Sequence, residues 1–120
     1  MARVVAVFDD LLLGSNVLGT LRAAGHDATL AGRPDEVDPA GADLLVVDLG
    51  SAGIDGIALV QRLRAAGSLE GVKTLGVHSH VEHEVKLRAE RAGYDLVVPR
   101  SRMAREGAEL VTRLTSPGAG

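Results

Sequence analysis

Short, uninterrupted runs of aliphatic residues alternate along this chain with segments of helical periodicity. Four such runs occupy residues 4–8, 44–48, 74–77 and 96–98. Each is too short for a helix and too continuous for a strand with one face in water, a pattern typical of central strands in a parallel sheet. A weaker run at residues 27–31 predicts an edge strand. Only Phe8 and Tyr94 are aromatic, so the core must be almost entirely aliphatic.

The segments between these runs predict four helices. Their apolar stripes consist of Leu13, Val17, Leu18 and Leu21; Ile57, Val60 and Leu63; Val81, Val85, Ala89 and Ala92; and Met103, Gly107, Leu110, Val111 and Leu114. Ser15 is a candidate N-cap for the first helix, and the last helix is expected to begin after Ser101. Gly25, Gly67 and Gly93 are expected to end the first three.

One connection departs from this alternation. Residues 32–42 contain Pro34, Pro39, Gly32 and Gly41, so the helix expected there is reduced to a single turn or is absent. Alternating strands and helices otherwise predict a parallel sheet with right-handed crossovers and helices on both faces. We expect one domain over residues 1–115 and a frayed tail over residues 116–120.

Composition excludes several classes of function. Without cysteine, the chain has no disulfide framework, thiol nucleophile or cysteine-type zinc site. A net charge of −3 argues against a dedicated nucleic-acid binder, which would normally present a basic surface. No apolar run approaches the roughly 20 residues of a membrane span, and residues 1–5 lack the layout of a signal peptide. We therefore expect a soluble cytoplasmic protein that binds neither nucleic acid nor membrane.

Acidic residues follow two of the predicted strands. Asp9 and Asp10 come after the first, and Asp48 ends the third. Ligands of open α/β sheets bind beyond the carboxyl ends of the strands, so these carboxylates would share one crevice if the strands are neighbours. Three clustered carboxylates repel one another unless a cation lies among them or one proton is retained. Oxygen ligands favour Mg²⁺ over zinc. Alternatively, each aspartate simply caps a loop or a helix.

The arrangement of these residues resembles the receiver domain of bacterial response regulators (CheY-like). That family carries an acidic pair after the first strand, matched here by Asp9 and Asp10. It carries a phosphoryl-accepting aspartate after the third strand, followed eight residues later by a glycine, and Asp48 and Gly56 have this spacing. The resemblance covers the whole chain without a gap between Asp48 and residue 100.

This resemblance implies a flavodoxin-like doubly wound fold, with five parallel strands in the order 2-1-3-4-5. It implies a stand-alone receiver in phosphorelay signalling, not an enzyme, with Asp48 as the acceptor. Mg²⁺ would be bound by Asp9, Asp10, Asp48 and the backbone carbonyl of Gly50. The implied partners are a histidine kinase or a phosphotransfer protein, and the last strand and helix would form a surface for a homodimer or another protein.

Four positions depart from the family pattern. The hydroxyl position, thirty residues after the acceptor, is His78, although Ser79 follows directly. The lysine position, fifty-two residues after the acceptor, is Arg100, whose planar guanidinium is not interchangeable with an ammonium group. Ala52 replaces a proline, and Val97 replaces the aromatic switch residue. These departures leave open a second interpretation, in which the chain is a pseudo-receiver that docks a protein partner independently of phosphate.

Two further groups of residues permit other interpretations. His78, His80, His83 and Glu84 include pairs at helical spacing that could bind zinc or nickel, although a polar loop and an exposed helix start also explain them. Arg100, Arg102 and Arg105 could bind an acidic partner or a nucleotide phosphate, or could form a solvated surface.

Overall fold

The computed structural model, which describes residues 2–79 and 83–116, contains a five-stranded sheet in which every pair of neighbours is parallel. The strands are β1 (Arg3–Val7), β2 (Asp27–Ala31), β3 (Leu44–Asp48), β4 (Lys73–His78) and β5 (Leu96–Pro99). Their order across the sheet is β2-β1-β3-β4-β5. This order confirms the predicted flavodoxin-like fold and brings the carboxyl ends of β1 and β3 side by side.

Four helices cover the two faces of this sheet: α1 (Leu11–Ala23), α2 (Gly56–Ala65), α3 (His83–Ala92) and α4 (Arg100–Thr115). Side chains of β3 alternate between the faces because successive residues of a strand point to opposite sides. Leu44 and Val46 pack in the cluster beneath α1 and α4. Leu45 and Val47 pack in the cluster beneath α2 and α3. Both faces of the sheet are therefore buried, which explains why the central strands consist of continuous aliphatic runs.

The predicted helix ends are confirmed where a glycine provides them. Gly25, Gly67 and Gly93 have φ angles of 93°, 75° and 107°, in the left-handed region that glycine adopts without steric cost. The expected truncation between β2 and β3 is also confirmed, because only a single 3₁₀ turn (Pro34–Glu36) forms there. None of the helices that the structure describes has the length and apolar character needed to cross a membrane.

Two predicted helix starts were wrong. The N-cap of α1 is Asp10, not Ser15, because α1 begins directly after Asp10 and its Oδ1 accepts hydrogen bonds from the backbone N–H groups of Leu12 (3.0 Å) and Leu13 (3.1 Å). Ser15 lies inside the helix. The last helix begins at Arg100, before Ser101, directly after Pro99. Val81 of the third stripe and residues 117–120 of the predicted tail lie outside the described residues.

Tyr94, in the connection between α3 and β5, contacts the start of α2. Its ring is buried, and its hydroxyl donates a 2.8 Å hydrogen bond to the backbone carbonyl of Gly56. Gly56 and Gly76 leave the space that this ring and Leu49 fill, because a Cβ at Gly76 would lie 2.6 Å from Leu49 Cδ1 and 3.3 Å from Tyr94 Cδ1. Burial raises the pKa of the Tyr94 hydroxyl well above its ordinary value of 10.0, and the charge of Asp55 raises it further.

We therefore expect Tyr94→Phe to lower the free energy of unfolding by about 1–2 kcal/mol at pH 7, since the Gly56 carbonyl loses its buried donor. Above about pH 10 the unfolded chain ionises Tyr94 while the folded chain keeps the proton, so this stabilisation is lost as the pH rises. The difference between wild type and variant should shrink by about 1 kcal/mol at pH 11. Urea unfolding at both pH values measures it, and an unchanged difference would contradict the assignment.

Candidate functional site

Asp48 is the last residue of β3 and lies at the carboxyl edge of the sheet. Its side chain has an exposed fraction of 0%. Nη2 of Arg100, the first residue of α4, lies 2.9 Å from Oδ2 and 3.1 Å from Oδ1 of this carboxylate. The backbone N–H of Gly50 donates to Oδ1 at 3.0 Å. The buried charge of Asp48 is thus paired with a cation and further hydrogen-bonded, as a charge at such a site must be.

The acidic pair lies at the rim of the same edge. Both Asp9 and Asp10 are exposed. Oδ1 of Asp10 accepts the hydrogen bonds that cap the N-terminus of α1. The carboxylate of Asp9 lies against Gly53 in the loop after β3, where any Cβ would collide with Asp9 Oδ2. Glycine at position 53 therefore permits the close approach of Asp9 to that loop.

These carboxylates have the oxygen chemistry that Mg²⁺ prefers, but their arrangement does not fit the ion. Asp10 caps a helix, and Asp48 already has Arg100 as its cation. Across residues 2–79 and 83–116, no three carboxylate or imidazole side chains are placed so that they could bind a metal ion together. Magnesium binding by Asp9, Asp10, Asp48 and Gly50 stays a prediction, and it requires Arg100 to move.

At the end of β4, the side chains of His78 and Ser79 have different surroundings. His78 is buried, and its Nδ1–H donates to the backbone carbonyl of Ser79, which can only accept. The Ser79 hydroxyl lies close to Gly50: a Cβ built on Gly50 would lie 2.9 Å from Ser79 Oγ, 3.3 Å from Arg100 Nη2 and 3.5 Å from Asp48 Oδ1. The three polar groups surround one point. The Nδ1–H of His78 is donated to the backbone, and the Ser79 hydroxyl lies near Gly50, two residues after Asp48. A role of His78 at Asp48 stays a prediction.

The three arginines near the start of α4 make different contacts. Arg102 pairs with Glu106 on the surface of α4 at 3.4 Å, and Arg105 Nε donates to the backbone carbonyl of Ser101 at 3.4 Å. Only Arg100 reaches Asp48. Its Nε is buried and has no hydrogen-bond acceptor in the part of the chain that the structure describes.

The predicted transition-metal residues are not brought together among the described residues. His83 and Glu84 are exposed in the first turn of α3. His78 is buried at the end of β4, with its Nδ1–H donated to a backbone carbonyl. His80, the remaining candidate, lies outside the described residues.

No protein-family model and no curated protein matches the chain. Its structure nevertheless resembles solved structures over nearly its whole length. A response regulator receiver domain from Francisella superposes with a TM-score of 0.83 at 20% sequence identity, covering 96% of this chain and 97% of its own. A protein named as a response regulator from Chloroflexus aurantiacus gives 0.86 at 21% identity, with 97% and 98% covered.

A third similar structure has a different name. A protein named for pilus assembly, from Burkholderia thailandensis, superposes with a TM-score of 0.80 at 18% identity, covering 98% of this chain and all of its own. At such identities the superposition establishes the fold and leaves function to the site. This chain has the fold of the CheY-like receiver domains of response regulators.

Proposed function

We propose that this chain is a receiver-type signalling domain in which Asp48 accepts a phosphoryl group from a histidine kinase or phosphotransfer protein. The supporting observation is the set of groups around Asp48. Arg100 Nη2 and the Gly50 N–H contact its carboxylate, and the Ser79 hydroxyl lies close to Gly50. A cation, an amide and a hydroxyl are donors that suit phosphoryl oxygens.

In this reaction an oxygen of Asp48 attacks phosphorus and forms the acyl phosphate, while the bond from phosphorus to the donor breaks and its electron pair leaves with the donor. Phosphoryl transfer depends mainly on positioning and on neutralising charge. Arg100 must release one Asp48 oxygen before the attack, and its guanidinium then remains beside the new phosphoryl group.

The test is the intact mass of the protein after incubation with excess acetyl phosphate, with either Mg²⁺ or a chelator present. We expect one phosphoryl adduct on the wild type and none on Asp48→Asn. Asp35→Asn, a change at an exposed carboxylate in the 3₁₀ turn, is the matched control and should behave as wild type. Equal adduct with and without Mg²⁺ would show that phosphorylation of Asp48 does not require Mg²⁺. An adduct that persists in Asp48→Asn would overturn the proposal.

A second candidate is a phosphate-independent docking domain. The observation that favours it is the complete burial of Asp48 beneath Arg100, which blocks the attacking oxygens in this arrangement. The similar fold of a protein named for pilus assembly is consistent with roles outside phosphorelay. No adduct on the wild type at high donor concentration, with or without Mg²⁺, would favour this candidate over the first.

A further inference from the structure

A cavity of about 350 Å³ lies between α1 and α4, on the face opposite α2 and α3. Its volume falls within the range typical of small-molecule sites. It is lined by Leu13, Asn16, Val17 and Thr20 of α1, by Val77 of β4, and by Arg100, Met103 and Ala104 of α4. Five of these eight residues are apolar, and Arg100 alone is charged.

Arg100 connects this cavity to the acceptor site. It contacts Asp48 through Nη2 alone, so one nitrogen serves both carboxylate oxygens. Nε is buried and has no acceptor among residues 2–79 and 83–116. A buried donor without an acceptor is costly, and guanidinium groups bind carboxylates through two parallel N–H bonds when geometry allows. Nη1 makes no hydrogen bond within the described residues either, so Arg100 retains N–H groups for a second anion.

We propose that the cavity binds a small amphipathic carboxylate, with its anionic group on Arg100 and its aliphatic part against Leu13, Val17 and Met103. The single positive charge selects an anion, and the apolar lining selects a hydrocarbon body. Asn16 and Thr20 offer further polar contacts along α1. The bound ligand shares the guanidinium with Asp48. The proposal does not rest on the proposed function, because the cavity and the Arg100 guanidinium are features of the unphosphorylated chain.

The test uses hexanoate as the probe and hexanol as its uncharged counterpart. Methyl NMR of the wild-type protein should show saturable shifts for Leu13, Val17 and Met103 with hexanoate, and the ¹⁵Nε resonance of Arg100 should move with them. Hexanol should bind at least about tenfold more weakly than hexanoate, since it lacks the charge-assisted hydrogen bond.

Ala104→Leu fills the cavity without touching the ion pair, because Ala104 is exposed on α4 and leucine is a good helix former. It should weaken hexanoate binding about tenfold or more. Ala58→Leu makes the same change at an exposed helical position of α2 and should bind as wild type. Thermal unfolding checks that both variants are folded. The proposal is overturned by shifts that do not saturate, by equal affinity for hexanol, or by unchanged binding in Ala104→Leu.

Discussion

Arg100→Ala is expected to lower the free energy of unfolding by about 3 kcal/mol, whereas Asp48→Asn should cost about 1 kcal/mol or less. The asymmetry follows from solvent exposure. The Asp48 side chain is 0% exposed and the Arg100 side chain 37% exposed. Loss of Arg100 leaves a carboxylate buried without its cation, while loss of the Asp48 charge leaves a guanidinium that can turn towards water. Denaturant unfolding of both variants at neutral pH measures the difference.

The double variant Asp48→Asn/Arg100→Ala should recover at least half of the stability lost in Arg100→Ala, since no uncompensated charge remains. Arg102→Ala is the matched control, because Arg102 pairs with Glu106 on the surface of the same helix. An exposed pair of this kind contributes about 1 kcal/mol or less. If Arg100→Ala cost no more than Arg102→Ala, the ion pair with Arg100 would not be what stabilises the buried Asp48 carboxylate.

The sheet could be predicted because continuous aliphatic runs have few solutions other than buried parallel strands. The side-chain pattern of 44–48 already requires helices on both faces, and the structure places Leu44 and Leu45 in opposite clusters. Residue spacing also identified Arg100, which contacts Asp48 as the family pattern implies for that position. The strands, their two buried faces and the pairing of Arg100 with Asp48 depend on residue periodicity and spacing, which can be taken directly from the sequence.

The details of the site could not be predicted in the same way. The direction of a side chain beyond a strand end depends on where the strand stops and how the loop turns, so residue counting could not place the His78 imidazole and the Ser79 hydroxyl relative to Asp48. The cap of α1 shows the same limit. Asp10 and not Ser15 is the N-cap because α1 begins directly after Asp10, and the spacing of apolar residues does not define that boundary. The cavity between α1 and α4 depends on how two helices pack, which no local pattern encodes.

Phe8→Ala should have the largest effect of any single change considered, a loss of about 3–5 kcal/mol in the free energy of unfolding. Phe8 directly follows β1, precedes the acidic pair, and is fully buried in the cluster beneath α1 and α4. A Cβ on Gly14 would lie 3.1 Å from Phe8 Cβ, so α1 approaches this residue closely. Alanine removes the ring from a core with no other phenylalanine to repack into the space.

Phe8→Leu is the matched control and should cost less than about 1.5 kcal/mol, because leucine restores most of the apolar volume. Leu12→Ala, at a position 74% exposed on α1, should change stability by less than about 0.5 kcal/mol. Denaturant unfolding ranks the three. A loss in Phe8→Ala no greater than in Leu12→Ala would mean that α1 packs elsewhere on the sheet. The position of Asp10, which caps α1 and follows Phe8 by two residues, would then have to be revised as well.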